Sequence, residues 1–137
     1  MTEFATTRLS SQPTEPAPDG STLRALLGLG GGTLAHFELR PGQTSRCVVH
    51  RSVEEIWFVQ SGRGEIWRKQ GAREAVVALE PGVCVTLPRG THFQFRASDT
   101  EGVAIVAVTM PPWPGQSEAE LVRGPWAASA GPPVTPV

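Results

Sequence analysis

Residues 82–96 read GVCVTLPRGTHFQFR, and residues 42–62 read GQTSRCVVHRSVEEIWFVQSG. Both stretches begin at a glycine and are rich in β-branched and aromatic residues, which is typical of short strands. The dipeptides Pro41-Gly42 and Pro81-Gly82 are turn signals at the start of each stretch. The two stretches therefore predict short strands separated by tight turns.

Similar short runs of β-forming residues continue on both sides of these stretches. The runs cover residues 33–40, 45–50, 55–60, 64–69, 75–79, 83–87, 92–96 and 103–110. Strands of this length at this spacing predict an all-β sandwich or barrel, because parallel α/β folds need a long helical connection between strands. Only residues 23–27 have a trace of helical periodicity, and a glycine-rich segment follows them.

Length and charge argue against several classes of protein. The chain has 137 residues, enough for one domain with a hydrophobic core, and its formal net charge is −1. A near-neutral balance gives no basic surface for nucleic acid or anionic membranes, so we expect neither partner. The longest apolar runs are far shorter than a membrane-spanning helix requires.

The start of the chain and the two cysteines bear on its location. Residues 1–11 mix polar and charged side chains and lack the apolar segment of a secretory signal, which predicts a cytoplasmic protein. Cys47 and Cys84 are then expected to be buried, reduced thiols, because structural disulfides are rare in the cytosol.

Composition divides the chain into three segments. Residues 1–20 are rich in Thr, Ser and Pro and have little to bury, which predicts a flexible arm. Residues 21–110 form the β domain. Residues 111–137 are proline-rich but contain tryptophans, so we expect this tail to pack on the barrel as far as Trp126 and to be frayed over residues 127–137.

The glycine and proline spacings of the two opening stretches resemble the two conserved motifs of the cupin superfamily. The residues that match the first motif are Gly42, His50, Glu55 and Gly62. Those that match the second motif are Gly82, Pro88, Gly90, Phe95 and Arg96. The resemblance covers roughly residues 33–110 and implies a small single-domain bacterial cupin, which has a jelly-roll β-barrel.

Cupins hold a divalent transition metal inside the barrel with three histidines and a glutamate. Carried over by position, the resemblance gives His50 and Glu55 as two of these four ligands. Val48 and Phe93 stand at the other two positions. His92 lies one residue early, and such a shift turns a strand side chain to the other face. Because a metal site normally needs at least three protein ligands, we expect no cofactor.

An alternative keeps the metal. A bulge that brings His92 to His50 and Glu55 would create a site for Fe, Mn, Ni or Zn, with dioxygenase or decarboxylase chemistry. His36 is a weaker ligand candidate. It shares the more polar face of its strand with Glu38, so we expect it to be exposed to solvent or to an interface.

Without a metal, the same positions predict an apolar pocket. Strand alternation places a group of wall residues inside the barrel together with His50 and Glu55. The substrate-binding candidates in this group are Val48, Trp57, Val59, Phe93 and Phe95. Apolar walls with a few converging polar groups are typical of a small-molecule site. His50 and Glu55 are the candidate catalytic pair, because they can act as general acid and base.

Three functions are open at this point. The first is an isomerase, epimerase, cyclase or lyase of small-molecule metabolism, and the second is the metal-dependent enzyme. The third is a non-catalytic ligand-binding or sensor module. We also expect a homodimer, because four side chains would give the barrel an apolar outer surface. These are Ile56, Phe58, Ile66 and Trp67.

Overall fold

The computed structural model describes residues 1–131 of the chain. These residues form mainly β-strands. The strands are β1 Glu15–Pro16, β2 Thr22–Leu29, β3 Gly32–Leu39, β4 Val48–His50, β5 Glu54–Gly62, β6 Gly64–Gln70, β7 Arg73–Leu79, β8 Cys84–Leu87, β9 His92–Ala97, β10 Val103–Met110 and β11 Ala119–Leu121. A single turn of 3-10 helix, Gln116–Glu118, precedes β11. Among the described residues, no helix has the length and apolar character needed to span a bilayer.

The strands pair into two antiparallel sheets. The larger sheet has the order β1-β2-β3-β10-β5-β8, and the smaller has the order β11-β4-β9-β6-β7. Strands distant in sequence lie side by side, as where β10 pairs with both β3 and β5. Two antiparallel sheets with crossing connections around one core form a jelly-roll barrel, which confirms the predicted all-β class.

Side-chain alternation separates core from surface along β5. Glu55, Trp57 and Val59 are buried, while Ile56 and Phe58 between them are exposed. The period of two that the sequence predicts for this strand is therefore present.

Aromatic rings fill the centre of the barrel. The indole of Trp57 contacts the rings of Phe37 and Phe95 edge to face, with centroids 4.9 Å apart in both pairs. Phe93 contacts the same indole with centroids 5.5 Å apart. Such ring pairs contribute about 0.5–1.5 kcal/mol each beyond their buried area. The cluster therefore ties β3 and β5 of the larger sheet to β9 of the smaller one.

The motif glycine Gly62 is required by the backbone. Its φ is 85°, in the left-handed region. A Cβ atom at this position would lie 1.8 Å from the carbonyl oxygen of Gly102. Only glycine satisfies both constraints, so this motif position fixes the turn between β5 and β6.

The N-terminal segment differs from the flexible arm expected for residues 1–20. Strand β1 pairs with β2, and Asp19 is buried. The amide of Arg46 donates a hydrogen bond of 2.7 Å to the carbonyl of Asp19. Residues 15–19 therefore belong to the folded domain. The amide of Gly20 donates a hydrogen bond of 3.0 Å to the carbonyl of Ala17, so the Pro-Asp-Gly sequence forms a tight turn.

Residues 23–27, which carry the trace of helical periodicity, lie in β2. The pairing of β2 with β3 shifts by one residue between Ala25 and Gly28. A bulge of this kind interrupts the alternation of inward and outward side chains. This interruption explains why the sequence pattern does not indicate a strand here.

The C-terminal tail is held on the barrel by the buried amide of Gln94. Its Nε2 donates hydrogen bonds to the carbonyl oxygens of Ser45 at 2.8 Å and of Trp126 at 2.9 Å. The guanidinium of Arg96 lies over the indole of Trp126, 4.0 Å from the ring centroid. These contacts hold the tail against the barrel at Trp126.

Packing continues beyond Trp126, where the sequence predicts fraying. The amides of Ser129 and Ala130 both donate to the carbonyl of Thr44 at 2.9 Å, and Ala130 is buried. These hydrogen bonds hold Ser129 and Ala130 against the barrel. The rest of the predicted frayed segment, residues 132–137, lies outside the described residues.

Three residues differ in exposure from what the sequence predicts: Ile66, Trp67 and Cys84. Ile66 and Trp67 are buried, so the apolar outer surface depends on Ile56 and Phe58, which are exposed. Cys84 is exposed because β8 alternates and turns its neighbours inward, whereas Cys47 is buried as expected. Burial raises the pKa of the Cys47 thiol to about 11.

His36 is also placed differently from the expectation of exposure. It lies in the middle of the larger sheet, opposite Arg24 on one side and Val106 on the other, and it is buried. Its Nε2 lies 3.0 Å from Oε1 of Gln60. In the centre of a wide sheet, side chains of the neighbouring strands cover a polar side chain even on the outer face. The sequence of one strand does not show which neighbours it has.

Candidate functional site

A cavity of about 220 Å³ lies inside the barrel beside the N-terminal segment. Its apolar walls include Leu23, Phe37, Val48, Trp57 and Phe93. Its ionisable lining residues are Glu15, Asp19, His50 and Glu55. Within the described part of the chain, no lysine or arginine lines the cavity. The site is thus an apolar chamber with a small group of acidic side chains and one imidazole.

The imidazole and a carboxylate of this group form a buried pair. His50, at the end of β4, has its Nε2 atom 3.4 Å from Oε2 of Glu55 in β5. Both side chains are less than a tenth exposed. Strand alternation turns both toward the interior, since His50 follows Val48 by two residues and Glu55 precedes Trp57 by two.

Glu55 is held at both carboxylate oxygens. The indole Nε1 of Trp57 donates to Oε2 at 2.9 Å, and the hydroxyl of Thr109 donates to Oε1 at 2.9 Å. Thr109 lies directly opposite Glu55 in the pairing of β10 with β5. With both oxygens bonded, the carboxylate is fixed in one orientation toward the imidazole of His50.

The surroundings of His50 favour its charged form. Burial lowers the pKa of the imidazole, but the hydrogen bond and negative charge of Glu55 act in the opposite direction. The charges of Asp19 and Glu118 add to this effect, and the pKa is raised above its ordinary value of 6.5. Protonation of this imidazole is therefore more favourable than in an ordinary histidine.

Asp19 brings a second carboxyl group to the cavity from the N-terminal segment. Its Oδ1 accepts hydrogen bonds from the amide of Ser21 at 3.0 Å and from the Ser21 hydroxyl at 2.7 Å. Burial raises the pKa of Asp19 more than these hydrogen bonds lower it, and the charge of Glu55 raises it further. The negative charge of Glu55 thus opposes the ionisation of Asp19.

Glu118, in the tail, fixes the loop that joins His50 to Glu55. Its carboxylate accepts hydrogen bonds from the amide of Ser52, from the Ser52 hydroxyl at 2.7 Å and from the amide of Val53 at 2.9 Å. Burial raises the pKa of Glu118, but these hydrogen bonds outweigh it and the pKa is lowered. Glu118 therefore positions the candidate pair without itself lining the cavity.

Two ring nitrogens at the site have no hydrogen-bond partner among the described residues. They are Nδ1 of His50 and Nε1 of Trp113, and both are buried. The two rings pack edge to face with centroids 5.6 Å apart. Because both residues line the cavity, unused polar atoms are present at this part of its wall.

The five wall residues suggested by the sequence divide into two groups. Val48, Trp57 and Phe93 line the cavity. Val59 and Phe95 are fully buried and belong to the packed core beyond it. Both side chains point into the barrel as predicted, but they lie further along its axis than the cavity. Strand alternation predicts the face of a side chain and not its depth along the barrel.

The cupin metal does not fit the residues present. The family ligand positions occupied by Val48 and Phe93 carry hydrocarbon side chains, which cannot coordinate an ion. His92 pairs with Val49, next to Val48 on the opposite face of β4, so it is not brought to His50 and Glu55. Among the described residues, no group of three or more His, Cys, Asp or Glu side chains is arranged to hold a metal.

The cupin-domain family model matches residues 35–109, and the chain belongs to this family. The match covers β3 to β10 and includes both motifs. No curated protein sequence matches the chain.

Solved structures with the same fold are distant in sequence. An uncharacterised Klebsiella pneumoniae protein with a double-stranded β-helix domain is 20% identical at a TM-score of 0.67, over 89% of this chain and 100% of that one. KdgF from a Halomonas species is 15% identical at a TM-score of 0.64, over 80% of this chain and 97% of that one. CapF, the capsular polysaccharide assembling protein of Staphylococcus aureus, is 20% identical at a TM-score of 0.65, over 77% of this chain. The chain spans only 33% of the CapF length.

Sequence reasoning missed several residues of the site, and three of them show why. Thr109 reaches Glu55 because of the register between β10 and β5, and no local sequence pattern predicts that register. Trp113 was expected to pack but was not assigned to the pocket. Asp19 lies in a Pro-Asp-Gly turn. The sequence is sufficient to predict the turn, because an aspartate side chain commonly accepts a hydrogen bond from the backbone amide two residues later. It is not sufficient to predict that this turn lies at the cavity.

Proposed function

We propose that this cupin binds a small, largely apolar molecule in the barrel cavity and transfers a proton on it. The reaction class is that of an isomerase, epimerase, cyclase or lyase. The buried pair of His50 and Glu55 on the cavity wall is the observation that carries the proposal. Such a couple, with the base oriented by a fixed carboxylate, is the arrangement that general acid–base catalysis requires.

The division of roles follows from the hydrogen bonds. Glu55 has both oxygens occupied, so its part is to orient the imidazole and stabilise its charged form. His50 has a free ring nitrogen and exchanges the proton with substrate. A proton removed from one substrate atom and returned to another atom or face changes the isomer with no net oxidation or reduction.

A solvent-exchange experiment tests this proposal without knowledge of the natural substrate. The protein is incubated in D2O with small cyclic ketones, and deuterium incorporation beside the carbonyl is followed by NMR. We expect exchange above the buffer rate for the unaltered protein and a loss of about 10²-fold or more of that excess in His50→Gln. His92→Gln is the matched control, because His92 lies outside the cavity, and it should retain full exchange.

Three results would decide against the proposal. Equal exchange in His50→Gln and the unaltered protein would remove the imidazole from the mechanism. Ligand binding without any exchange would favour the non-catalytic binding module, in which the His50–Glu55 pair is only structural. Stoichiometric Fe, Mn, Ni or Zn in protein purified without an affinity tag, and lost in His50→Ala, would favour the metal-dependent enzyme.

We also propose that the protein is a cytoplasmic homodimer. Exposed Leu34, Ile56 and Phe58 give the larger sheet an apolar outer face, and a second copy of this face would cover it. Sedimentation at micromolar concentration should give twice the mass of one chain. Ile56→Lys with Phe58→Lys should give single chains. A monomer in the unaltered protein would contradict the proposed dimer.

A further inference from the structure

The unpartnered nitrogen of Trp113 limits what the cavity can hold. An indole N–H only donates a hydrogen bond, so its complement is an acceptor atom. A buried donor without a partner costs about 1–3 kcal/mol, and a ligand that supplies an acceptor removes this cost. His50 presents its free Nδ1 in an adjoining ring. A single ligand oxygen is the simplest group that could bond both rings.

Charge further restricts the ligand. The cavity offers Glu15, Asp19 and Glu55 against the single imidazole of His50, which is already paired with Glu55. A carboxylate or phosphate would enter this site without a free cation and would face the carboxyl group of Asp19. Burying an unpaired anion in apolar surroundings is strongly unfavourable. An ammonium group could pair with Asp19, but it would leave the donor of Trp113 without an acceptor.

Volume gives the third restriction. An apolar cavity of about 150 Å³ accommodates benzene, so about 220 Å³ accommodates one ring with a short substituent. The aromatic walls formed by Phe37, Trp57 and Phe93 match such a ring.

We infer that the natural ligand is a small uncharged apolar molecule with one carbonyl or hydroxyl oxygen, and that Trp113 and His50 bind this oxygen. The inference rests on the proposed function and gives it a substrate class. Asp19 and Glu15 disfavour the binding of anions in the cavity. Trp113 is thus a specificity-determining residue contributed by the segment that follows β10.

Four one-ring probes of similar size test the inference: acetophenone, ethylbenzene, benzoate and 1-phenylethylamine. Binding is measured by titration calorimetry at neutral pH. We expect acetophenone to bind most tightly, with ethylbenzene about fivefold weaker for lack of the oxygen and benzoate about tenfold weaker or more.

Trp113→Phe separates the hydrogen bond from the packing of the ring. The variant should lose about fivefold in acetophenone affinity, while ethylbenzene affinity changes by less than about twofold. Trp67→Phe is the matched control, since the Trp67 indole donates to Glu74 outside the cavity. Asp19→Asn should reduce the difference in affinity between acetophenone and benzoate.

NMR provides a second measurement that does not depend on affinity. The chain has four tryptophans, and Trp113→Phe identifies the indole signal of Trp113 by its absence. Acetophenone should shift this proton downfield, while ethylbenzene should not. The Trp67 indole signal is the internal reference.

The outcomes separate this inference from the proposed function. Binding of ethylbenzene as tight as that of acetophenone, or tighter binding of benzoate or of the amine, overturns the inference but leaves a ligand-binding cavity. Failure of all four probes, ethylbenzene included, overturns the proposed cavity function and the inference with it.

Discussion

The barrel interior has a packed end and an open end, and the same strands build both. Along β5, Val59 lies in the packed end and Glu55 in the open end. Along β9, Phe95 lies in the packed end and Phe93 lines the cavity. Along β9, a displacement of two residues thus separates a side chain in the packed core from one that lines the cavity. The motif glycines lie in the turns, so they preserve the fold whatever the open end contains.

The largest expected effect comes from restoring the family ligand set at the open end. V48H with F93H adds two imidazoles beside His50 and Glu55. Because four such groups inside a barrel suit Zn or Ni, the double variant should bind one metal ion per chain, and its melting temperature should rise with added metal. Metal analysis after dialysis is the measurement. The V48H single variant is the control and should bind far more weakly.

The next effect contrasts the two ends directly. F95A should lower the free energy of unfolding by about 3–5 kcal/mol, as for a fully packed phenylalanine. F93A should cost less, because one side of the Phe93 ring faces the cavity and makes fewer contacts. Urea denaturation of both variants gives the comparison. Equal losses of unfolding free energy in the two variants would mean that the open end is packed as tightly as the packed end.

A smaller effect concerns charge at the open end. E55Q removes the hydrogen bond and the charge that raise the pKa of His50 while its burial remains, so this pKa should fall. NMR titration of the imidazole measures it, with the His92 signals as internal reference. A raised folded-state pKa stabilises the fold below the unfolded value of 6.5. The stability advantage over E55Q should therefore diminish as pH rises through the folded pKa of His50.

The smallest effect lies in the tail. E118Q should lower the free energy of unfolding by about 1–2 kcal/mol at neutral pH, because the charged acceptor of the Ser52 and Val53 donors is lost. The pKa of Glu118 is lowered below 4.5 by folding, so its contribution is present above that value. The difference between E118Q and the unaltered protein should then shrink as pH falls below 4.5. A constant difference at all pH values would contradict this role.

The core strands could be predicted because their signals are local. Alternation in β5 and the turn at Gly62 are set by neighbouring residues, and the structure has both where the sequence predicts them. Strand β2 could not be predicted, since its bulge breaks the alternation. Strands β1 and β11 are short, and their pairing partners rather than their own residues define them.

The candidate site could be predicted only as far as strand alternation allows. This rule placed His50, Glu55 and Phe93 inside the barrel. It could not separate Phe93 from Phe95, because depth along the barrel depends on the global geometry. Asp19 and Trp113 lie in irregular segments, whose paths across the barrel depend on tertiary contacts that no local pattern encodes.

The contact between Gly20 and Ala130 has a practical consequence for anyone who edits the ends of this chain. A Cβ atom on Gly20 would lie 2.5 Å from the carbonyl oxygen of Ala130, so the two segments touch backbone to backbone. Asp19 is the immediate neighbour of this contact. Trimming the N-terminal residues as dispensable would delete one wall of the cavity, and cutting before Ala130 would loosen that wall from behind. Ligand selectivity could then change in a protein whose barrel still folds.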